Sequence, residues 1–163
     1  MEKGGVRNMA ERIEILVGEL NDGINKAGLA QSQAEYEKNY QLVFDRLDQL
    51  EEHLESNRFL LGDPLTEADV RLYVTLTRFD VAYYFGYRLN KKRIRDYHNL
   101  WNYAKELYSL PAYRDITDFD AIKRGYLLGA AVNPDGILPE GPDVSVWLEA
   151  NDRNAKFGPR KKG

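Results

Sequence analysis

The residues best suited to chemistry in this chain are its tyrosines. Eleven are present, and Tyr83, Tyr84, Phe85 and Tyr87 crowd the end of the run Phe79-Asp-Val-Ala-Tyr-Tyr-Phe-Gly-Tyr87. An aromatic wall with a few hydroxyls at its edge suits a flat phenolic ligand. Tyr36, Tyr40, Tyr73, Tyr103 and Tyr108 fall instead on apolar stripes, where a ring fills the core and its hydroxyl finds a partner at the edge. The sequence contains no cysteine, so it holds no disulfide, no thiolate nucleophile and no sulfur ligand for zinc. Its two histidines, His53 and His98, stand apart and lack a carboxylate cluster at ligand spacing, so no metal site is expected. Glu51 and Glu52 read as solvated charges on a helix surface. No residue here is a candidate catalytic nucleophile.

The elements that must position these rings are helices. After a short leader over residues 1–8, Met9, Ile13, Leu16, Val17, Leu20 and Ile24 follow the spacing of one helix face. Gly28 stands where a C-cap glycine would. A longer helix is expected from about Ser32 to Glu55, with a stripe from Tyr36 to Leu54, and the two read as an antiparallel hairpin. Thr66 and Asp69 form a capping box in which Asp replaces the usual Glu, flanked by Leu65 and Val70 as a hydrophobic staple. The helix that it starts should run through Tyr73 and Leu76 to about Tyr84. Asp96 or His98 opens another helix, closed by Leu110-Pro111, and Asp118 caps a last one containing Ile122, Tyr126 and Leu127. Beyond Asn133, recurrent Pro and Gly argue against a regular element, and a tail this long either packs on the domain or reaches a partner. The expected fold is all-α: a helical domain over residues 9–132 and an irregular tail over 133–163 as a possible dimer contact.

Charge and hydropathy narrow the function classes. A net charge of −3 offers no concentrated basic face for nucleic acid. The run Arg160-Lys161-Lys162 sits behind Gly158-Pro159 and reads as a solvated tail. No signal-peptide pattern is visible, and no apolar run approaches the roughly 18 residues that cross a bilayer. A cytoplasmic location without membrane contact is the expectation.

The run Leu65-Thr-Glu-Ala-Asp-Val-Arg-Leu-Tyr-Val-Thr-Leu-Thr-Arg-Phe-Asp80, then Tyr83, Ile94-Arg-Asp-Tyr-His-Asn-Leu-Trp101, Asp118-Phe-Asp120, Tyr126 and Asn133-Pro134 with Gly136-Ile137, resembles the C-terminal helical domain of the xi-class glutathione transferases, the glutathionyl-hydroquinone reductases. The resemblance begins near Glu11 and covers nearly all the rest of the chain. It implies a glutathione transferase C-terminal-like helical bundle, working beside a thioredoxin-like domain that carries a Cys-Pro-Trp motif and binds the co-substrate glutathione. It also implies a reaction. A cysteine takes the glutathionyl group from a glutathionyl-hydroquinone as a mixed disulfide, and a second glutathione releases it. By the same resemblance Tyr83 and Tyr126 fall on hydroquinone-binding positions, Asn25 stands where the family has a third tyrosine, and the full-length proteins are homodimers. Asn25 replaces a stacking phenol with a short amide.

Two readings follow. In one, the chain is the hydroquinone-binding half of such a reductase, with the thiol-bearing domain absent from it. In the other it is a stand-alone helical protein-interaction module of the glutathione transferase superfamily.

Overall fold

A computed structural model describes residues 2–129 and 131–160, with side chains from Asn8 onward. Lys161 and Lys162 of the basic run lie outside the described residues. The first helix, α1 (Glu2–Gly28), begins earlier than expected. The segment read as a leader contains no proline, and extending an existing helix adds a hydrogen bond for each residue fixed. Ser32 caps α2 (Gln33–Ser56) by accepting from the Glu35 N–H at 3.1 Å. Ile13, Leu16, Val17, Leu20 and Ile24 of α1 and Val43, Phe44, Leu47, Leu50 and Leu54 of α2 are all buried in one core. The antiparallel hairpin expected from their spacing is therefore present.

Gly28 does not serve as a left-handed cap. It is the last residue of α1 and has no positive φ. What requires glycine there is the Tyr87 ring, since a Cβ on Gly28 would lie 2.4 Å from it.

The third helix, α3 (Glu67–Arg78), starts at the Thr66 box. Asp69, fully buried, accepts from the Thr66 N–H at 2.9 Å, the Leu60 N–H at 3.0 Å and the Tyr103 hydroxyl at 2.7 Å. The capping residue thus also ties the preceding loop and a later helix to the start of α3. Val70 does not join the core as the staple expectation required; it is 39% exposed.

A π turn (Phe79–Tyr83) and a short α4 (Tyr84–Gly86) follow without a break. A 3-10 turn (Ile94–Asp96) then leads into α5 (His98–Tyr108). Glu51 is not a free surface charge. Its carboxylate accepts from the backbone N–H groups of Asn99 at 2.9 Å and Leu100 at 2.7 Å, capping α5 from across the hairpin. Pro111 closes α5 by opening another turn, α6 (Pro111–Arg114), a position where its missing N–H costs nothing. Asp118 caps α7 (Phe119–Leu127) through the Ala121 N–H at 3.0 Å.

The region after Asn133 contains more regular structure than its Pro and Gly content suggested: a 3-10 turn (Val144–Leu148) and α8 (Arg153–Phe157). Both are held by tertiary partners. Trp147 is buried against Trp101, Tyr108 and Phe119, with ring centroids 4.9, 5.6 and 5.2 Å away. Arg153, fully buried, donates to the carbonyls of Leu54, Asn57 and Arg58 and so caps the C-terminus of α2. Arg58 pairs with the buried Glu106 and donates to the Gly158 carbonyl at 2.6 Å. Among the described residues the β pairing is one isolated bridge, Phe59 with Gly62.

Candidate functional site

Tyr83 owes its position to the π turn. An i→i+5 turn inserts one residue into the helical register and redirects everything after it. The Asp80 carboxylate, buried inside this turn, anchors it by accepting from the Ile94 N–H at 2.7 Å and the Arg95 N–H at 3.3 Å. Burial outweighs these two bonds and pushes the Asp80 carboxyl up to about 6. Gly86 then lets α4 approach α7, because a Cβ there would lie 2.6 Å from the end of the Leu127 side chain. Tyr126, one residue before Leu127, reaches Tyr83 because α7 packs directly against the π turn.

The two rings meet edge to face, with centroids 5.2 Å apart and planes at 88°, and the Tyr83 hydroxyl donates to the Tyr126 hydroxyl at 3.2 Å. Tyr83 is 7% exposed. Burial first, and its hydrogen bond to Tyr126 second, raise the Tyr83 pKa far above that of an ordinary phenol, while the Arg78 charge works in the opposite direction. Tyr87 stacks on Tyr83 at 5.2 Å and 16° and meets Tyr126 edge to face at 6.3 Å, so the three rings form one cluster. The turn beyond Tyr87 is fixed by the Tyr36 hydroxyl, which donates at 2.6 Å to the carbonyl of Arg88, a residue at φ +58°.

Tyr83 and Tyr126 open onto a cleft of about 430 Å³ between α1 and α3. Asn25 and Asn21 line it from α1, and Thr75 and Arg78 from α3. Tyr83, Tyr126 and Asn25, far apart in sequence, therefore border one cavity, with Asn25 exposed at its edge. The Thr75 hydroxyl donates to the Asn21 side-chain carbonyl and joins the two helices at the floor.

Residues 33–106 match the family model described as the C-terminal domain of glutathione S-transferase. A glutathionyl-hydroquinone reductase of Escherichia coli is 38% identical over 143 residues, which are 85% of this chain and 42% of that protein. Among solved structures, the xi glutathione transferase of Phanerochaete chrysosporium matches with a TM-score of 0.83 and 36% identity, over 91% of this chain and 51% of that one. A glutathione-bound transferase homologue from Escherichia coli gives a TM-score of 0.83 at 36% identity, over 93% and 50% of the two chains. The chain is a C-terminal helical domain of the xi-class glutathione transferase family. It spans about half the length of those solved relatives, 50% and 51%.

In this xi-class domain the cleft side chains are neutral or basic, and neither histidine faces them. His53 accepts at Nδ1 from Arg12 at 3.1 Å and donates from Nε2 to the Leu60 carbonyl at 2.7 Å, and burial lowers its pKa. His98 pairs with Asp152 at 2.7 Å on the surface. Among the described residues no group of three His, Cys, Asp or Glu side chains could hold a metal ion. No described helix of the domain is long and apolar enough to cross a membrane.

Sequence reasoning missed Arg78 as a cleft residue. Residues five apart, such as Arg78 and Tyr83, diverge around a regular α-helix, and only the π turn brings them to one cavity. The signal available in the sequence was the aromatic run itself, whose apolar stripe breaks up where the π turn forms.

Proposed function

We propose that this domain binds the hydroquinone ring of a glutathionyl-hydroquinone during its glutathione-dependent reduction. The single observation that carries the reading is the hydroxyl pair at the edge of the cleft. Because the Tyr83 O–H donates to the Tyr126 oxygen, Tyr126 is left with its own O–H to donate, and a phenolic oxygen of the ring can accept it. Burial keeps Tyr83 protonated, so the pair acts as a neutral donor relay. Asn25 supplies an amide at the mouth, able to donate and accept.

The thiolate comes from a thioredoxin-like domain, since this sequence has no cysteine. Glutathione, as co-substrate, is held mainly by that domain. The thiolate attacks the glutathionyl sulfur, the C–S bond breaks, and the ring carbon takes up a proton as the hydroquinone leaves. A second glutathione thiolate then attacks the mixed disulfide, releasing oxidised glutathione and restoring the enzyme thiolate. The family reading also implies a homodimer in a cytoplasmic setting. The exposed Ile137 and Leu148 of the tail are the apolar side chains that such a contact would cover.

The test is localisation of the ring by NMR. Titrating hydroquinone into the chain should give intermolecular NOEs to the ring protons of Tyr126 and Tyr83, and Tyr126→Phe should weaken binding about three- to tenfold, the worth of one neutral hydrogen bond. NOEs confined to another face of the domain, or affinity indifferent to Tyr126, would refute the reading.

A further inference from the structure

The cleft carries more charge than a neutral hydroquinone needs. Its lining includes two arginines, Arg71 and Arg78, and no Asp or Glu, in a chain whose net charge is −3. Arg71 is engaged, paired with Glu67 at 3.1 Å on the exposed side of α3. Arg78 differs. Its guanidinium bonds within its own helix, one terminal nitrogen donating to the Val74 carbonyl at 3.0 Å and the Thr77 hydroxyl at 3.3 Å. Among the described residues no carboxylate pairs with it, so the rest of its donor fork is free for a planar anion. Its charge reaches Tyr83, where it opposes the rise in the phenol's pKa. A guanidinium beside a largely buried aromatic wall binds a carboxylate through two parallel charge-assisted hydrogen bonds.

We infer that the ligand of this cleft is an acidic hydroquinone, with a ring carboxylate on Arg78 and a ring hydroxyl on Tyr126. The inference rests on the hydroquinone reading and adds the charge of the substrate. The Asn21 side-chain carbonyl is spent on the Thr75 hydroxyl and Arg71 on Glu67, which leaves Arg78 as the cleft's charged determinant for an anionic substituent on the ring. A carboxylate could equally arrive on glutathione, so the two sources must be separated.

Calorimetric titration of the chain with gentisate, a hydroquinone bearing a carboxylate, with methyl gentisate, and with glutathione separates them. Gentisate should bind at least about tenfold more tightly than its ester, the usual worth of a charge-assisted hydrogen bond. Arg78→Gln should erase that difference, Arg78→Lys should keep part of it, and saturating glutathione should not displace gentisate. Arg78 bonds only within its own helix, so circular dichroism of both variants should match wild type. Equal binding of acid and ester, both weakened by Tyr126→Phe, would overturn the acidic substrate and leave the hydroquinone reading standing. A preference for the acid that survives Arg78→Gln, or Arg78-dependent displacement of gentisate by glutathione, would also overturn it. Absence of binding by either aromatic would overturn both.

Discussion

Asp80 shows how a buried side chain outside the cleft sets the site's geometry and leaves a measurable trace. Its carboxyl titrates near 6 in the folded domain against an ordinary 3.8, so between those values the folded state holds a proton that the unfolded chain has lost. Its contribution to stability is therefore full below about pH 4 and is lost as pH rises to about 6, by an amount on the order of 3 kcal/mol. His53, with its pKa lowered, acts in the opposite sense, losing stability as pH falls through the ordinary histidine range. Arg93 and Asp96 also face Asp80, the first lowering and the second raising its pKa. The informative quantity is the difference between Asp80→Asn and wild type. Urea denaturation across pH 4–7 should show the variant gaining relative to wild type as pH rises, and a pH-independent difference would contradict the assignment. Gly28 offers a second check at this scale. A Cβ 2.4 Å from the Tyr87 ring must displace it, so Gly28→Ala should cost about 1–3 kcal/mol and perturb the stacked Tyr83. A thermal melt checks the first and Tyr83 ring shifts the second. The sequence made Tyr83 and Tyr126 legible through the family resemblance, and the crowding of rings agreed with it. Arg78 was not legible as a cleft residue, nor Asp80 as the anchor of the turn behind it, because the first depends on a π turn and the second on a loop folding back over it.

Among the elements, those fixed by local chemistry were read correctly from the chain: the α1–α2 hairpin from its apolar period, α7 from Asp118, and α3 from Thr66 with Asp69. Those fixed by distant partners were not. Glu51 looks like any helix-surface acid until α5 arrives with uncapped N–H groups. The tail's two short elements owe their order to side chains contributed elsewhere, and energetic predictions follow. Trp147→Ala removes the ring that meets Trp101, Tyr108 and Phe119 and should cost about 3–5 kcal/mol in chemical denaturation. Glu106→Gln strands Arg58 in a buried site and should also cost about 3–5 kcal/mol. Replacing the pair together, Arg58→Met with Glu106→Leu, should recover part of that loss, because two desolvated charges then disappear at once. Equal destabilisation by the single and double variants would contradict that relief, and a Glu106→Gln variant as stable as wild type would show that packing alone holds the tail.

Taken whole, the molecule is a set of helices that encloses a cleft. It supplies aromatic rings, hydroxyls and a guanidinium in a cleft between α1 and α3, and a sequence without cysteine supplies no thiolate. The proposed division of labour rests on composition together with the family resemblance. The cleft's shape was not legible in the sequence, because it depends on the angle between two helices that no local pattern encodes. The decisive measurement is steady-state reduction of a glutathionyl-hydroquinone by glutathione, with the chain alone and with the chain joined to a cysteine-bearing thioredoxin-like domain of the xi class. The chain alone should show no rate above background. The joined protein should turn over, faster with Asn25→Tyr and more slowly with either Tyr83→Phe or Tyr126→Phe, since positioning of the ring governs the rate. Turnover by the isolated chain, or a joined protein indifferent to both tyrosine changes, would contradict the assignment of the hydroquinone site to this domain.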